Sequence, residues 1–164
     1  MNLNRRQFIG VALLFAGSGA ARWVSAAGPA VTALDNSKLI YLSPLLADGR
    51  ESTCHAEIWF VQYQAEVYVC TSSTAWRTLA LKRGLTRARI WIGEFGAWTQ
   101  AKDAFRAAPT LLLEGQVETA PAVHAEVLEV FGKKYAAEWA KWGPQFRDEL
   151  ADGSRALLRY RVAV

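Results

Sequence analysis

The chain has 164 residues, of which 52% are hydrophobic and seven are tryptophan. This length and composition predict one domain with a substantial core and exclude an intrinsically disordered protein. The formal net charge is +4, but three of the 19 basic side chains lie within residues 1–26, which contain no acid. The rest of the chain has 16 basic and 15 acidic side chains. This near balance of charge argues against a nucleic-acid-binding stripe or a polybasic membrane patch.

Residues 1–26 have the pattern of an export signal. The letters RRQFI at positions 5–9 lead into a mostly apolar run over residues 9–21, and small residues at positions 24–26 suit cleavage. The run is too short and too rich in glycine for a comfortable membrane span, so cleavage would leave no stable membrane insertion. The paired arginines resemble the twin-arginine translocation signal of bacteria. That resemblance implies the twin-arginine export machinery as a partner and a periplasmic or exported location.

The next segment, residues 27–37, is small and polar with one proline and no clear period, so we interpret it as a linker. A globular domain over residues 38–164 follows. Its first predicted strand runs over residues 38–45, and its second over residues 52–61. A turn near residues 62–65 then predicts a hairpin with the next strand, residues 66–71.

The stretch from Cys70 to Gly84 joins this third strand to a short basic helix. Three hydroxyl residues, Ser72, Ser73 and Thr74, are candidate N-caps for a helix that begins near Ala75. Hydroxyl groups and free backbone N–H groups at a helix start attract phosphate, and Arg77 in the first turn could add a bidentate contact. The pattern is typical of an anion site, although an ordinary capped helix with a solvated basic face fits the same residues.

The remaining chain alternates strands with helices. Strands are predicted over residues 87–92, 110–118 and 156–162, and helices over residues 98–107 and from Pro121 through Trp139, with a break at residues 143–144. The total is six strands, with hairpin links early in the chain and helices inserted later. This order predicts a mainly β protein, an antiparallel barrel with peripheral helices.

Few residues suit metal or thiol chemistry. Cys54 and Cys70 are expected to be free thiols, because the predicted hairpin register separates them by about 10 Å along the strands. His55 and His124 are too few for a multi-histidine metal site, and we predict no metal. His124 is interpreted as a surface residue and His55 as a strand residue with a local hydrogen bond. Zinc, Rossmann and Walker motifs are all missing from the sequence.

The order of elements over residues 38–162 resembles the FMN-binding split-barrel family typified by pyridoxamine 5′-phosphate oxidase. In that family the third strand ends in a threonine, and a basic residue six positions later binds the flavin phosphate; Thr71 and Arg77 keep this interval. The segments EGQVE at residues 114–118 and GKKYAAEW at residues 132–139 are also similar to family features. The resemblance implies a six-stranded split barrel of the FMN-binding type that forms a homodimer.

The resemblance also implies a set of cofactor-binding residues. Thr71, Ser72 and Arg77 would hold the phosphate of FMN, and the strand segment from His55 to Trp59 would embrace the flavin ring. The complete set is His55, Glu57, Ile58, Trp59, Cys70, Thr71, Ser72, Trp76 and Arg77. The implied function is a flavin-dependent oxidoreductase with a small-molecule substrate that the sequence does not identify.

Four positions depart from the family pattern and keep alternatives open. The oxidase has Arg and Lys where this chain has His55 and Phe60, and Ser and Arg where it has Ala75 and Trp76. Fewer phosphate contacts would weaken flavin binding, although Trp59 and Trp76 could stack on a ring. The alternatives are a deazaflavin, a haem that His55 contacts, or a barrel that has lost its cofactor and acts as a binding protein.

Overall fold

The computed structural model describes residues 28–163, so the predicted export signal lies outside the described residues. The domain is mainly β and contains seven strands in one antiparallel sheet. The strands are β1 (Leu39–Pro44), β2 (Ala56–Trp59), β3 (Val61–Tyr63), β4 (Glu66–Ser72), β5 (Arg87–Ile92), β6 (Thr110–Glu118) and β7 (Arg155–Val162).

Within residues 28–163, five α-helices and one 3-10 helix lie around the sheet. They are α1 (Gly28–Asn36), α2 (Trp76–Lys82), α3 (Trp98–Ala101), the 3-10 helix (Ala104–Ala107), α4 (Pro121–Lys134) and α5 (Ala136–Ala151). The segment interpreted as a linker is therefore largely helical, and α1 buries Ala30 and Leu34 against the main core. Within residues 28–163 no helix is long and apolar enough to cross a membrane.

The strand order is β2-β1-β5-β6-β7-β4-β3. The two edge strands of this order, β2 and β3, are consecutive in the chain and are separated only by Phe60. The chain therefore leaves one edge of the sheet and enters the other within a single residue, which brings the two edges together. The result is a nearly closed antiparallel barrel with peripheral helices, as in a split barrel.

The prediction of six strands is wrong, because the predicted second strand divides at Phe60. Its first part, β2, pairs with β1 through Ile40 and Ile58, while its second part, β3, pairs with β4 through Val61 and Tyr68. The predicted hairpin turn at residues 62–65 is confirmed by the pairing of Tyr63 with Glu66.

One side chain satisfies the backbone of Phe60 between the two strands. The Tyr135 hydroxyl accepts the Phe60 N–H at 2.9 Å, and its oxygen lies 2.8 Å from both the Phe60 and the Lys38 carbonyl oxygens, to which it can donate its proton. Because an unpaired buried backbone group is costly, this contact replaces the ladder bonds that Phe60 cannot make. Burial raises the pKa of Tyr135 above its usual value, which keeps the hydroxyl protonated as a donor.

The core has two main parts on opposite faces of the barrel wall. Inside the barrel, alternate residues of the strands pack around Leu42, Ile90 and Leu158. Outside it, α4 and α5 cover the other face of β4 and β7 with a second cluster that includes Phe131 and Phe146. Gly115 permits the packing of buried Tyr160, because a Cβ atom at that position would lie 2.3 Å from the ring.

Two helix boundaries differ from the sequence prediction. The helix predicted from Pro121 breaks at Tyr135, and the predicted stop at residues 143–144 is wrong because α5 continues through Pro144. Gly143 allows the Trp139 ring to pack closely against the helix, since a Cβ atom at position 143 would lie 2.7 Å from Nε1 of Trp139. The helix predicted over residues 98–107 is divided between α3 and the 3-10 helix by Lys102, which has a positive φ of 50°.

A Tyr135→Phe substitution should destabilise the fold by about 1–3 kcal/mol, because it leaves the Phe60 N–H and carbonyl without their buried partner. Urea unfolding measures the difference. The matched control is Tyr63→Phe, whose hydroxyl bonds Glu126 at the surface, and whose loss should change stability by less than about 0.5 kcal/mol. Equal effects of the two substitutions would show that the Tyr135 hydroxyl does not hold the strand crossing.

Candidate functional site

The main pocket opens at the strand crossing, between the barrel and α5. Its volume is about 410 Å³, within the range of roughly 300–1,000 Å³ that small-molecule sites occupy. The pocket is lined by Leu39, Glu57, Ile58, Trp59, Cys70, Thr71, Arg77, Trp142, Phe146 and Arg155. Six of the nine predicted site residues lie in this set: Glu57, Ile58, Trp59, Cys70, Thr71 and Arg77.

Aromatic side chains form one wall of the main pocket. Trp59 stacks on Tyr135 with ring centroids 4.4 Å apart and an angle of 10° between the planes. Phe146 lies 6.3 Å from Trp59, and Trp142 of the same helix completes the wall. Because Tyr135 is itself fixed to the Phe60 backbone, the indole of Trp59 rests on a fixed support. A wall of this kind suits a planar ring.

Arg77 is a cation that lines the same pocket. It lies in the first turn of α2 and is half-buried, and its Nε is shielded from water without a hydrogen-bond partner among the described residues. No carboxylate of residues 28–163 lies within 4 Å of its guanidinium. Buried donors are normally paired, so the unpartnered Nε makes Arg77 a candidate anion contact among the described residues.

Local hydrogen bonds fix the turn that positions Arg77. The Thr78 hydroxyl donates to the Ser72 carbonyl at 2.8 Å, and the Ser73 N–H donates to the Ser154 carbonyl at 2.9 Å. These bonds hold the start of α2 against the end of β4 and the beginning of β7. Buried Thr71, the last buried residue of β4, thereby lies in the same pocket wall as Arg77.

The predicted N-caps are wrong. The residue before α2 is Ala75, and none of the hydroxyl side chains caps the helix. The Ser72 hydroxyl lies 2.9 Å from that of Thr74 and accepts the Thr74 N–H at 3.2 Å, so it is engaged within the turn. Ser72 therefore does not line the main pocket. Anion binding would depend on Arg77 and Thr71 rather than on a capped helix start.

Trp76 also lies away from the main pocket. Its ring is covered by the guanidinium of Arg83, the residue that follows the C-terminal end of α2. The guanidinium lies 5.2 Å from the ring centroid. The prediction that Trp76 stacks on a ligand therefore has no geometric support.

His55 is the third predicted site residue outside the pocket. It lies just before β2 in an aromatic cluster with Trp91, Trp98 and Phe105, at centroid distances of 6.4, 5.8 and 6.2 Å. Its Nδ1 is buried without a partner among the described residues, so the expected local hydrogen bond is missing. Burial, and then the charge of Arg106, lower its pKa, which favours the neutral ring.

Arg155 is a second cation that the sequence analysis did not identify. It begins β7, pairs across the sheet with Ser72, and lies in the same pocket wall as Arg77. Its Nε donates to the Glu149 carboxylate, and its guanidinium lies 4.5 Å from the Phe146 ring centroid. Unlike Arg77, it already has a charged partner.

The other missed residues, Leu39, Trp142 and Phe146, come from distant parts of the sequence. Trp142 and Phe146 are four positions apart on α5, which places them on one helix face. That spacing indicates a shared helix face. The sequence analysis missed it because it predicted a helix break at residues 143–144, between the two residues. The start of β7 at Arg155 could not be separated from a turn residue by pattern alone.

Both cysteines are free thiols, as predicted. Cys70 lies in the pocket wall but is buried, and burial raises its pKa to about 12. Within residues 28–163 no group of three or more His, Cys, Asp or Glu side chains is arranged to hold a metal ion.

Comparison with known proteins identifies the fold. No protein-family model matches the chain. A search of curated proteins also finds no match. Solved structures do match: the heme storage protein HutZ from Vibrio cholerae is 19% identical with a TM-score of 0.56, over 84% of this chain and 90% of that one.

Two further structures extend the comparison. A putative pyridoxamine 5′-phosphate oxidase from Listeria innocua is 11% identical with a TM-score of 0.53, over 82% of this chain and 91% of that one. An FAD and heme binding protein from Mycobacterium smegmatis is 16% identical with a TM-score of 0.52. The match covers 85% of this chain and 68% of that one. These likenesses show that the chain has the split-barrel fold of pyridoxamine 5′-phosphate oxidase-like proteins.

We predict that Cys70 resists alkylation by iodoacetamide at pH 8, whereas half-exposed Cys54 reacts first. The thiolate is the nucleophile, and a pKa of about 12 leaves only about one thiolate in ten thousand at that pH. Mass spectrometry of the folded protein, digested after timed alkylation, gives the order of modification. Cys70 reacting as fast as Cys54 would contradict its burial, and denatured protein, in which both should react, is the control.

Proposed function

We propose that the main pocket binds FMN and that the protein is an exported, flavin-dependent oxidoreductase whose substrate is unidentified. The observation that carries this proposal is the Arg77 guanidinium, half-buried beside the pocket with its Nε unpaired among the described residues. A phosphate-bearing ligand would pair with the Arg77 guanidinium, and the aromatic wall of the same pocket suits a planar ring system.

The pocket residues divide into two functional groups. Arg77 and Thr71 would hold the phosphate, with Arg155 as a second cation once it shares or releases Glu149. Trp59, Ile58 and Trp142 would contact the isoalloxazine ring. When bound, the flavin supplies the redox chemistry, while the protein orients it and limits its access to water. No catalytic side chain is assigned.

Some proteins of this fold are described as binding flavin or haem. The protein from M. smegmatis is described as binding FAD and heme, and that from L. innocua as a putative pyridoxamine 5′-phosphate oxidase. These descriptions support a flavin or a haem as the class of ligand. The choice of FMN depends on the Thr71 and Arg77 interval together with the geometry of the pocket.

Haem is the second candidate, because HutZ is described as a heme storage protein and the aromatic wall would also suit a porphyrin. The sequence makes His55 the candidate haem ligand. His55 and His124 both lie outside the main pocket, and the Cys70 thiol is buried and protonated. The pocket thus offers no ready haem ligand from these residues, which favours flavin.

A deazaflavin would present a similar ring and phosphate to the same residues. Absorbance spectra of the protein purified from its own host distinguish flavin, deazaflavin and haem directly. A barrel that has lost its cofactor would instead be colourless and would bind none of the three.

We also propose a homodimer, in which a second copy completes the ligand site. The aromatic wall formed by Trp59 and Trp142 remains half-buried in the single chain. Covering such surface with a second subunit would remove apolar area from water and shield a bound ring.

The test of ligand binding is calorimetric titration of the ligand-free protein with FMN. Arg77→Met should weaken binding about 10- to 100-fold, because a hydrogen bond to a charged group contributes about 1.5–3 kcal/mol. The matched control is Arg83→Met, which removes an exposed arginine at the end of the same helix and should leave the affinity unchanged.

Each outcome of this titration has a distinct meaning. Binding that both variants weaken equally would contradict the assignment of Arg77 to the phosphate. If FMN gives no heat and hemin then binds tightly, the ligand of the pocket is haem and not flavin. No binding of either ligand would favour the cofactor-free barrel.

Export is proposed on the letters RRQFI at positions 5–9, which lie outside the described residues. Replacing Arg5 and Arg6 together by lysine should retain the protein in the cytoplasm, since twin-arginine recognition requires the arginine pair while the charge is preserved. Cell fractionation and immunoblotting measure the distribution. The control replaces Arg22 by lysine, and export of the double variant at the normal level would contradict this pathway.

A further inference from the structure

We propose that a second cavity, between α4 and α5, binds a free apolar α-amino acid as a zwitterion. This cavity, which we call the helix cleft, has a volume of about 420 Å³, within the range of roughly 300–1,000 Å³ that small-molecule sites occupy. It shares no lining residue with the main pocket, so the inference is independent of the proposed flavin function. The helix cleft is lined by Thr119, Pro121, His124, Ala125, Leu128, Glu129, Arg147, Leu150 and Ala151.

The floor of the helix cleft is apolar. Leu128 is buried in the second core cluster, and half-buried Leu150 packs against the same cluster. Ala125 and Ala151 also line the cleft, and their short side chains leave space beside the two leucines. An apolar group placed there would leave water without displacing any core residue. The cleft therefore favours a ligand with an aliphatic or aromatic part.

Two opposite charges line the helix cleft without neutralising each other. Glu129 belongs to α4 and Arg147 to α5, and both side chains are exposed. Neither forms an ion pair within 4 Å in the part of the chain that the structure describes. A ligand that carries both charges would pair with both residues, its carboxylate with the guanidinium and its ammonium with the Glu129 carboxylate.

His124 adds a second acceptor on the α4 side of the helix cleft. Its Nε2 lies 2.9 Å from the Glu118 carbonyl oxygen. Because a carbonyl oxygen only accepts, Nε2 carries the proton and donates, and Nδ1 of the neutral ring is an acceptor. Side-chain acceptors thus lie on α4, and the charged donor Arg147 lies on α5. This separation of donor and acceptors suits a ligand with an ammonium group at one end and a carboxylate at the other.

The combination of charges and apolar surface selects the class of ligand. A simple carboxylate would pair with Arg147 but would bring no cation to Glu129, and a simple amine would leave Arg147 unpaired. An α-amino acid carries both groups on one carbon atom, and its side chain can rest on the apolar floor. A polar side chain would lose its contacts with water there, so leucine and similar amino acids fit best.

The test titrates the ¹⁵N-labelled full chain at pH 7.5 with L-leucine and follows the backbone amide signals by NMR. Amides of residues 119–129 and 147–151 should shift, whereas those of Trp59 and Arg77 in the main pocket should not. Two analogues separate the charges: 4-methylpentanoate lacks the ammonium group, and 3-methylbutylamine lacks the carboxylate. Each should bind at least about threefold more weakly than leucine, a modest ratio because both ion pairs are exposed to water.

Matched variants assign the two charges. Arg147→Met and Glu129→Gln should each weaken leucine binding about three- to tenfold. The controls are Lys141→Met and Asp148→Asn, which remove exposed charges of α5 that do not line the helix cleft and should leave the affinity unchanged. All four side chains are exposed, so the variants should fold normally.

Two results would overturn the proposal. The first is that the amides of the helix cleft do not shift at about 10 mM leucine, a concentration that would reveal even millimolar binding. The second is that 4-methylpentanoate binds as tightly as leucine, which would replace the zwitterion with a simple carboxylate. Equal weakening by Arg147→Met and Lys141→Met would contradict the assignment of the ligand carboxylate to Arg147.

Discussion

The contact between the Tyr135 hydroxyl and the Phe60 backbone is the constraint on which the rest of the structure depends. A sheet whose edge strands are consecutive in the chain must pass from one edge to the other, and the crossing residue loses its ladder partners. Here a side chain from the junction of α4 and α5 supplies both partners. The same tyrosine then supports Trp59 by stacking, so closure of the barrel and the pocket wall share one anchor.

This arrangement explains why the pocket lies where it does. The crossing separates β2 from β3 and leaves Ile58 and Trp59 at a sheet edge, while β4 ends nearby with Thr71 and leads into α2. Trp59 and the Arg77 cation therefore line one pocket, and α5 adds Trp142 and Phe146 from a distant part of the sequence. The helix start itself contributes little, because α2 is short and lacks a side-chain cap.

The sequence predicted most strands and much of the pocket, and its failures have physical causes. Alternating patterns identified β5, β6 and β7 because one face of each is buried in the barrel. The division at Phe60 was missed because it depends on Tyr135, 75 positions away. The prediction of a helix end at Pro144 is wrong because local preference cannot show that Gly143 packs under Trp139. His55 and Trp76 were assigned to the site by position in a motif, and their neighbours place them elsewhere.

Burial acts in opposite chemical directions on two nucleophilic side chains, Cys70 and Lys134. Removing a group from water always favours its neutral form, which raises the pKa of Cys70 and lowers that of Lys134. A neutral thiol is a poor nucleophile, whereas a neutral amine is the reactive form of lysine. Burial therefore protects the pocket wall from thiol chemistry and increases the neutral fraction of the Lys134 amine. A thiolate in the pocket would also repel the phosphate that Arg77 is proposed to hold, so a protonated Cys70 favours anion binding there.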